Sequence, residues 1–542
     1  MNGLMMDFPL TLQVLLRRAE TLFPAKEIVS RLPDTTVQRY TYADLADRSR
    51  RVAVALATLG IKPGERVATL AWNGHQHLEA YFGIPLMGAV LHTLNPRLSP
   101  DDLTYIATNA GDVALIVDET LLPVFEKFRE RVKLRHVIVA SESRTSPDGT
   151  SSFERLIADA DPTRYVERDV DENEAAAMCY SSGTTGRPKG VLYSHRAIVL
   201  HSMAEAMTDS LALSESDTVL PVVPQFHVNA WGLPYTCTML GSKLVLPGPH
   251  LDPVSLLDLF QDEGVTFTAG VPTVWLAILA ALDKEPERWK LTPGLRMLVG
   301  GAACPISLMK GLDRHGCRVI HGWGMTETTP LATVANLTSE VRSASTARQD
   351  AVRAMQGLPG PLVELRARGD AGLVPWDGKT MGELEIRGPW IAREYFAAPE
   401  GADRFTDDGW FKTGDIVVID RSGFIEIRDR AKDLVKSGGE WISTLALEGA
   451  LMGHPAVAEA AVIAIPDPKW QERPLAVVVL KEGKRATPSE LIEFLAARFP
   501  KWQLPDAVEF VDALPRTATG KFLKTALRER FKEYRAAAKV AP

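Results

Sequence analysis

Cysteine is scarce: the chain holds four in 542 residues, Cys179, Cys237, Cys304 and Cys317, and none forms a Cys-x-x-Cys pair. That excludes a disulfide framework and predicts reduced thiols in a cytoplasmic protein. A long hydrophobic run is also missing. Without about 18 consecutive apolar residues, no transmembrane helix is expected. Excess positive charge is lacking as well: 61 Lys and Arg stand against 68 Asp and Glu, a net charge of −7. This argues against a general nucleic-acid binder, though it permits a local basic groove for phosphates. The opening Met1-Asn2-Gly3-Leu4 has no basic region, and Asp7 interrupts the early apolar stretch, so it does not read as a signal peptide. Internal repeats and low-complexity tracts are absent.

What is present is an ordinary globular composition, 46% hydrophobic and 24% charged, over a length that favours two or more domains. Helical spacing runs from Asp7 to Leu22. Short strands are predicted at Glu65–Leu70, Val113–Val117 and His136–Val139, and Ser143–Ser152 reads as a surface loop. Strands alternating with helical patterns predict α/β layers with a largely parallel sheet over the first 170 or so residues. A second α/β unit is expected from about Ala175 to Asn336. Period-two alternation at Gly382–Gly388 and Gly423–Arg428 then predicts a small antiparallel β-rich unit. After Arg430 a compact αβ segment begins, with helices at Leu445–Met452 and Ser489–Phe499 and strands at Ala460–Ile465 and Leu475–Leu480. The fold class is therefore α/β: a large N-terminal domain of two α/β subdomains plus a β-rich subdomain, followed by a small α+β C-terminal domain. The tail from Tyr534 to Pro542 is expected to fray.

The most informative stretch is Tyr180-Ser181-Ser182-Gly183-Thr184-Thr185-Gly186-Arg187-Pro188-Lys189-Gly190, which follows an apolar strand-like run from Ala175 to Met178. Glycines let a backbone turn tightly and present N–H groups to an anion. The hydroxyls add donors, and Arg187 and Lys189 add positive charge, which is the chemistry a polyphosphate needs. It is not a Walker A loop, because Pro188 rather than glycine precedes Lys189.

Four further motifs follow in order: Gly322-Trp323-Gly324-Met325-Thr326-Glu327-Thr328, Gly409-Trp410-Phe411-Lys412-Thr413-Gly414-Asp415, Asp429-Arg430-Ala431-Lys432-Asp433 with its continuation to Glu440, and Pro515-Arg516-Thr517-Ala518-Thr519-Gly520-Lys521. Together the five resemble the signatures of the adenylate-forming superfamily of acyl-CoA synthetases, adenylation domains and luciferases, over nearly the whole chain. The stretches His227-Val228-Asn229-Ala230-Trp231 and Lys469-Trp470-Gln471-Glu472-Arg473-Pro474 are similar to bacterial medium- and long-chain fatty acyl-CoA ligases.

The resemblance implies a reaction in which fatty acid, ATP and CoA give acyl-CoA, AMP and diphosphate through an acyl-adenylate. It implies an N-terminal domain at 1–430, a hinge at 431–433 and a mobile C-terminal domain at 434–542. Thr184 and Glu327 would surround a magnesium ion, with Ser181, Ser182, Gly183, Thr185, Gly186 and Lys189 on the phosphates. Asp415 would accept the ribose hydroxyls, aided by Arg430. Trp323 would flank the adenine, within Gly322, Gly324, Met325 and Thr326. The Gly300-Gly301-Ala302 turn after Met297-Leu298-Val299 suits close approach of nucleotide and acid. His227 would line the carboxylate entry, and Val228, Trp231 and Gly301 the acyl pocket. Lys521 would stabilise charge during adenylation. Lys432 holds the hinge position, and after rotation Lys436, Gly438, Gly439, Glu440 and Trp441 would face CoA. The cysteines receive no catalytic role. Two other readings stay open: a ligase for a short or aryl acid such as 3-methylthiopropionate, and an adenylation enzyme loading a carrier protein. A homodimer with no integral membrane association is expected.

Overall fold

The computed structural model describes residues 1, 3–181, 187–437, 440–516, 522–532 and 534. Two large mixed sheets, one antiparallel sheet and one C-terminal sheet organise it. The first large sheet has seven strands in the order Ser151–Ser152, His136–Ala140, Asp112–Asp118, Arg66–Leu70, Val90–Thr93, Ala175–Tyr180 and Gly190–Ser194. All neighbours are parallel except the last pair. The second has nine strands, and its centre, from Arg318–Gly324 to Glu27–Arg31, is parallel.

The two units are not successive in the chain, contrary to the sequence reading. Glu27–Arg31 pairs in parallel with Lys243–Leu246, so an N-terminal strand completes the later sheet. Conversely, Ala175–Tyr180 joins Val90–Thr93 in the earlier one. Both segments are buried on both faces at their centres, and such strands can sit in the interior of any parallel sheet. Helix His75–Leu86 is buried at every position and lies within one core shared by both sheets. A helix buried all round carries no amphipathic stripe to say which sheet it serves.

The first helix spans Leu12–Leu22, starting later than its spacing predicts. Pro9 biases Phe8 away from the α region, and Thr11 takes the N-cap position in an extended conformation. The predicted loop at Ser143–Ser152 ends in a two-residue edge strand beside Ile138 and Val139.

The β-rich unit is a five-stranded antiparallel sheet containing Gly382–Arg387, Phe411–Ile419 and Ile425–Arg430. The C-terminal sheet starts at Val435 and packs helices Thr444–Met452 and Pro488–Ala496 over its own core of Val435, Leu447, Leu451, Val462, Val478 and Leu491. Asp429 bridges the junction, accepting hydrogen bonds from the Thr444 N–H (2.6 Å) and hydroxyl (2.5 Å). Among the described residues, no helix is long and apolar enough to cross a membrane.

Candidate active site

The phosphate-loop candidate is a hairpin connection. Strands Ala175–Tyr180 and Gly190–Ser194 pair antiparallel, and the Ser181 N–H donates to the Lys189 carbonyl at 2.9 Å while the Lys189 N–H donates to Ser181 Oγ at 3.1 Å. Ser182, Gly183, Thr184, Thr185 and Gly186 lie outside the described residues. The hairpin base is pinned sideways where the Phe396 N–H donates to the Gly190 carbonyl at 2.8 Å. Tyr395 is thereby set between two motifs that sequence holds far apart. Its ring faces the Lys189 ammonium at 5.7 Å, and its hydroxyl donates to Glu327 Oε1 at 2.6 Å. Burial and the neighbouring Glu327 both raise the Tyr395 phenol above its ordinary range.

Glu327 sits in the short turn Thr326–Thr328 after strand Arg318–Gly324 and is only 4% exposed. The Tyr193 hydroxyl donates to the Thr326 carbonyl at 2.7 Å, and the Ala392 N–H to the Glu327 carbonyl at 2.8 Å, so the turn is fastened from both sides. Gly324 has no room for a side chain: a Cβ there would lie 1.9 Å from the Pro330 carbonyl oxygen.

Asp415 and Arg430 face each other across the antiparallel register of Phe411–Ile419 and Ile425–Arg430. Arg430 Nε lies 2.8 Å from Asp415 Oδ1, and the Trp323 indole N–H donates to Oδ2 at 3.0 Å. The Thr413 hydroxyl accepts the Asp415 N–H at 3.1 Å. Trp323 therefore orients the carboxylate, a role its motif position alone does not disclose.

These groups share one space. A cavity of about 610 Å³ is lined by Ser181, Arg187, Lys189, His227, Gly301, Gly322–Glu327, Tyr395, Arg404, Arg430 and Lys432. Its other end is apolar, with Val222, Val223, Phe226, Val228, Trp231, Val271, Val274 and Leu298. A second cavity of about 240 Å³ continues past Gly301, Ala302 and Gly322–Gly324 to Asp415, and ends against Glu448, Phe522 and Lys524 of the C-terminal segment. Lys432 lines both, and burial lowers its ammonium from the usual lysine range.

His227 precedes a rare backbone feature. Val228, Asn229, Ala230 and Trp231 all have positive φ, from 45° to 58°, and Gly232 follows at 81°. This is one left-handed helical turn, which L-residues resist by about 1–2 kcal/mol each. All four side chains are buried, and the Cys179 thiol donates to Asn229 Oδ1 at 3.3 Å, which helps to hold the turn.

The structure does not bring every predicted residue to the cavities. Lys436 and Trp441 pack on each other, ammonium to ring 4.4 Å, in the hairpin Val435–Ser437 and Glu440–Ile442, and line neither. Gly438, Gly439 and Lys521 lie outside the described residues. All four cysteines are buried; burial pushes Cys179 and Cys317 up to about 11 and Cys304 to about 12, unfit for nucleophilic work at neutral pH. Tyr395, Arg404 and Glu205 were missed. Tyr395 stands in Arg393-Glu394-Tyr395-Phe396, where no spacing or motif marks it.

Among known proteins, the AMP-binding enzyme pattern matches residues 16–396, and the AMP-binding enzyme C-terminal domain matches residues 446–521. A long-chain-fatty-acid–CoA ligase of Thermus thermophilus is 52% identical, over 98% of this chain and 97% of its own. A medium-chain-fatty-acid–CoA ligase of Ectopseudomonas oleovorans is 44% identical, over 98% of each. The solved structure of an anthranilate CoA ligase, AuaEII, in complex with anthranoyl-AMP superposes with a TM-score of 0.86 at 27% identity, covering 97% of this chain and 98% of that one. The shared motifs, the fold and these matches together place the chain in the AMP-binding enzyme family.

Proposed function

We propose that this protein is an ATP-dependent fatty acid:CoA ligase that forms an acyl-adenylate and then transfers the acyl group to the thiol of CoA. The observation that carries the reading is the single cavity in which phosphate-loop cations and Glu327 meet an apolar acyl-sized end, with the Asp415 carboxylate alongside.

Two anions, a carboxylate and the α-phosphate of ATP, must be brought together. Lys189, Arg187 and Arg404 supply positive charge around that point. Such preorganised charge is the largest single aid to reactions of this kind. Asp415, oriented by Trp323 and Arg430, accepts the ribose hydroxyls, and the turn from Gly300 to Ala302 admits the nucleotide edge. His227 lines the carboxylate entry; Val228, Trp231 and Gly301 border the acyl chain.

Magnesium fits the donors present. Among the described residues no cluster of three His, Cys, Asp or Glu could hold a metal alone. Mg²⁺ bound with substrate phosphates needs only one or two protein oxygens. Glu327, with Thr184, would hold it, and it would supply charge neutralisation on the phosphates.

The second half-reaction requires CoA to enter where water was excluded. The proposed division is 1–430, 431–433 and 434–542; it is supported by the separate core clusters that hold Ile425 on one side and Val435 on the other. Rotation about Lys432 brings Lys436, Gly438, Gly439, Glu440 and Trp441 toward the thioester site, and Lys521 serves the adenylation pose. The protein acts in the cytoplasm as a homodimer; sedimentation of the purified chain tests the dimer.

The deciding experiment measures CoA-dependent AMP release over acids graded from acetate to palmitate. Medium or long chains should give the highest kcat/KM. A maximum at a short or aryl acid, or release that requires a carrier protein in place of CoA, overturns the fatty acid:CoA assignment.

A further inference from the structure

One carboxyl in the acyl end of the cavity has no part in the chemistry above. Glu205, on helix His195–Ala206, is fully buried and lines the same cavity as Val228, Trp231 and Leu298. Its Oε2 accepts a hydrogen bond from the Thr236 hydroxyl at 2.6 Å. Its Oε1 is buried and has no hydrogen-bond partner among the described residues. Among the described residues no cation pairs with it. His201, one turn earlier, uses Nε2 to accept the Leu331 N–H at 3.1 Å, and burial keeps its imidazole neutral, with a pKa of about 3.

An unmatched carboxyl oxygen buried beside an apolar cavity end is costly unless something entering the cavity satisfies it. We propose that Glu205 determines specificity by hydrogen-bonding a hydroxyl group on the acyl chain, so that hydroxylated fatty acids are a substrate class of this site. The proposal rests on the acid:CoA ligase reading. Burial raises Glu205 to about 8, so at neutral pH the carboxyl carries a proton. A protonated carboxyl offers one donor and acceptor capacity, and a hydroxyl offers both in return. The two therefore match whichever carboxyl oxygen holds the proton. A plain methylene chain leaves Oε1 unmet. Sites built to hydrogen-bond a substrate hydroxyl discriminate strongly against the analogue without it.

The test uses the full chain and pairs of linear acids from six to sixteen carbons, plain and with a single hydroxyl moved along the chain. In the wild type, one hydroxyl position should match or exceed the plain acid in kcat/KM, while the others are disfavoured. Glu205→Met, similar in length but unable to hydrogen-bond, should lower kcat/KM for that hydroxy acid about tenfold relative to its plain partner. The loss should fall in KM rather than kcat. Glu205→Gln should keep most of the preference. The proposal is overturned if the wild type disfavours the hydroxyl at every position, which needs no variant, or if Glu205→Met leaves the ratio unchanged. Either result with active plain acids leaves the ligase reading standing; no AMP release with any acid removes both.

Discussion

Asp415 shows how the fold fixes a single side chain. In isolation an aspartate after Thr-Gly is a turn residue; here two donors on separate strands fix both of its oxygens. Charge-assisted hydrogen bonds are worth about 1.5–3 kcal/mol. Asp415→Asn should therefore raise KM for ATP roughly tenfold to a hundredfold while leaving KM for the acid nearly unchanged, as initial-rate kinetics in both substrates will show. Glu205 gives a second residue-scale prediction, independent of its substrate. Folded, it titrates at about 8 against 4.5 as an ordinary glutamate, so between those values the native state holds a proton that the unfolded chain releases. Its stabilising contribution is complete below about 4.5 and is lost as pH rises toward 8. Denaturant unfolding should show wild type losing stability relative to Glu205→Gln across this window, by at most about 1.4 kcal/mol per pH unit. The sequence offered no sign of either the carboxyl's burial or Tyr395's contact with Glu327, because both depend on segments far apart in the chain.

Among the elements, the left-handed turn from Val228 to Gly232 stands out. Its strain persists because the surrounding core fixes it, and such strain gathers at sites that bind or move. Gly232 closes the turn at φ 81°, and a Cβ there would sit 2.7 Å from the His201 ring. Gly232→Ala should destabilise the protein by about 1–3 kcal/mol and lower the thermal unfolding midpoint by a few degrees. An unchanged midpoint would mean that the turn relaxes freely. His227-Val228-Asn229-Ala230-Trp231 was recognisable as a pocket-forming stretch, yet only one glycine hinted at its backbone, since four non-glycine residues of left-handed conformation have no sequence signature. The phosphate-loop candidate differs: its glycines, hydroxyls and cations are legible in the sequence, and the apolar run before it lies in the strand Ala175–Tyr180, whereas the antiparallel strand Gly190–Ser194 that follows it is seen only in the structure.

At the scale of the whole molecule, polar contacts among the described residues join the segments on either side of the proposed hinge. Asp429 holds Thr444, the Ser443 hydroxyl donates to the Arg428 carbonyl, and Arg528 pairs with the hinge residue Asp433 at 2.7 Å, while Lys524 pairs with Glu448 at 2.7 Å within the C-terminal segment, beside the smaller cavity. Polar contacts of this kind can be exchanged without exposing a hydrophobic core, which suits a hinge motion. If Lys521 serves only the first pose, Lys521→Ala should slow acyl-adenylate formation by about a hundredfold or more. Thioester formation from pre-made adenylate and CoA should be spared, and single-turnover measurements of the two steps would separate them. What the sequence determined by itself was the family: five ordered motifs, legible because each depends on residue type at short spacing, carry the proposed phosphate, metal, ribose, hinge and late-lysine roles. Only the tertiary structure decided which strands share a sheet, how Tyr395 ties Lys189 to Glu327, and that the Glu205 carboxyl is buried beside the apolar end of the cavity. Those outcomes arise from packing between distant segments, 68 residues apart for Tyr395 and Glu327 and 216 for Ile28 and Leu244, where strands and helices buried on every side carry no local mark of their partners.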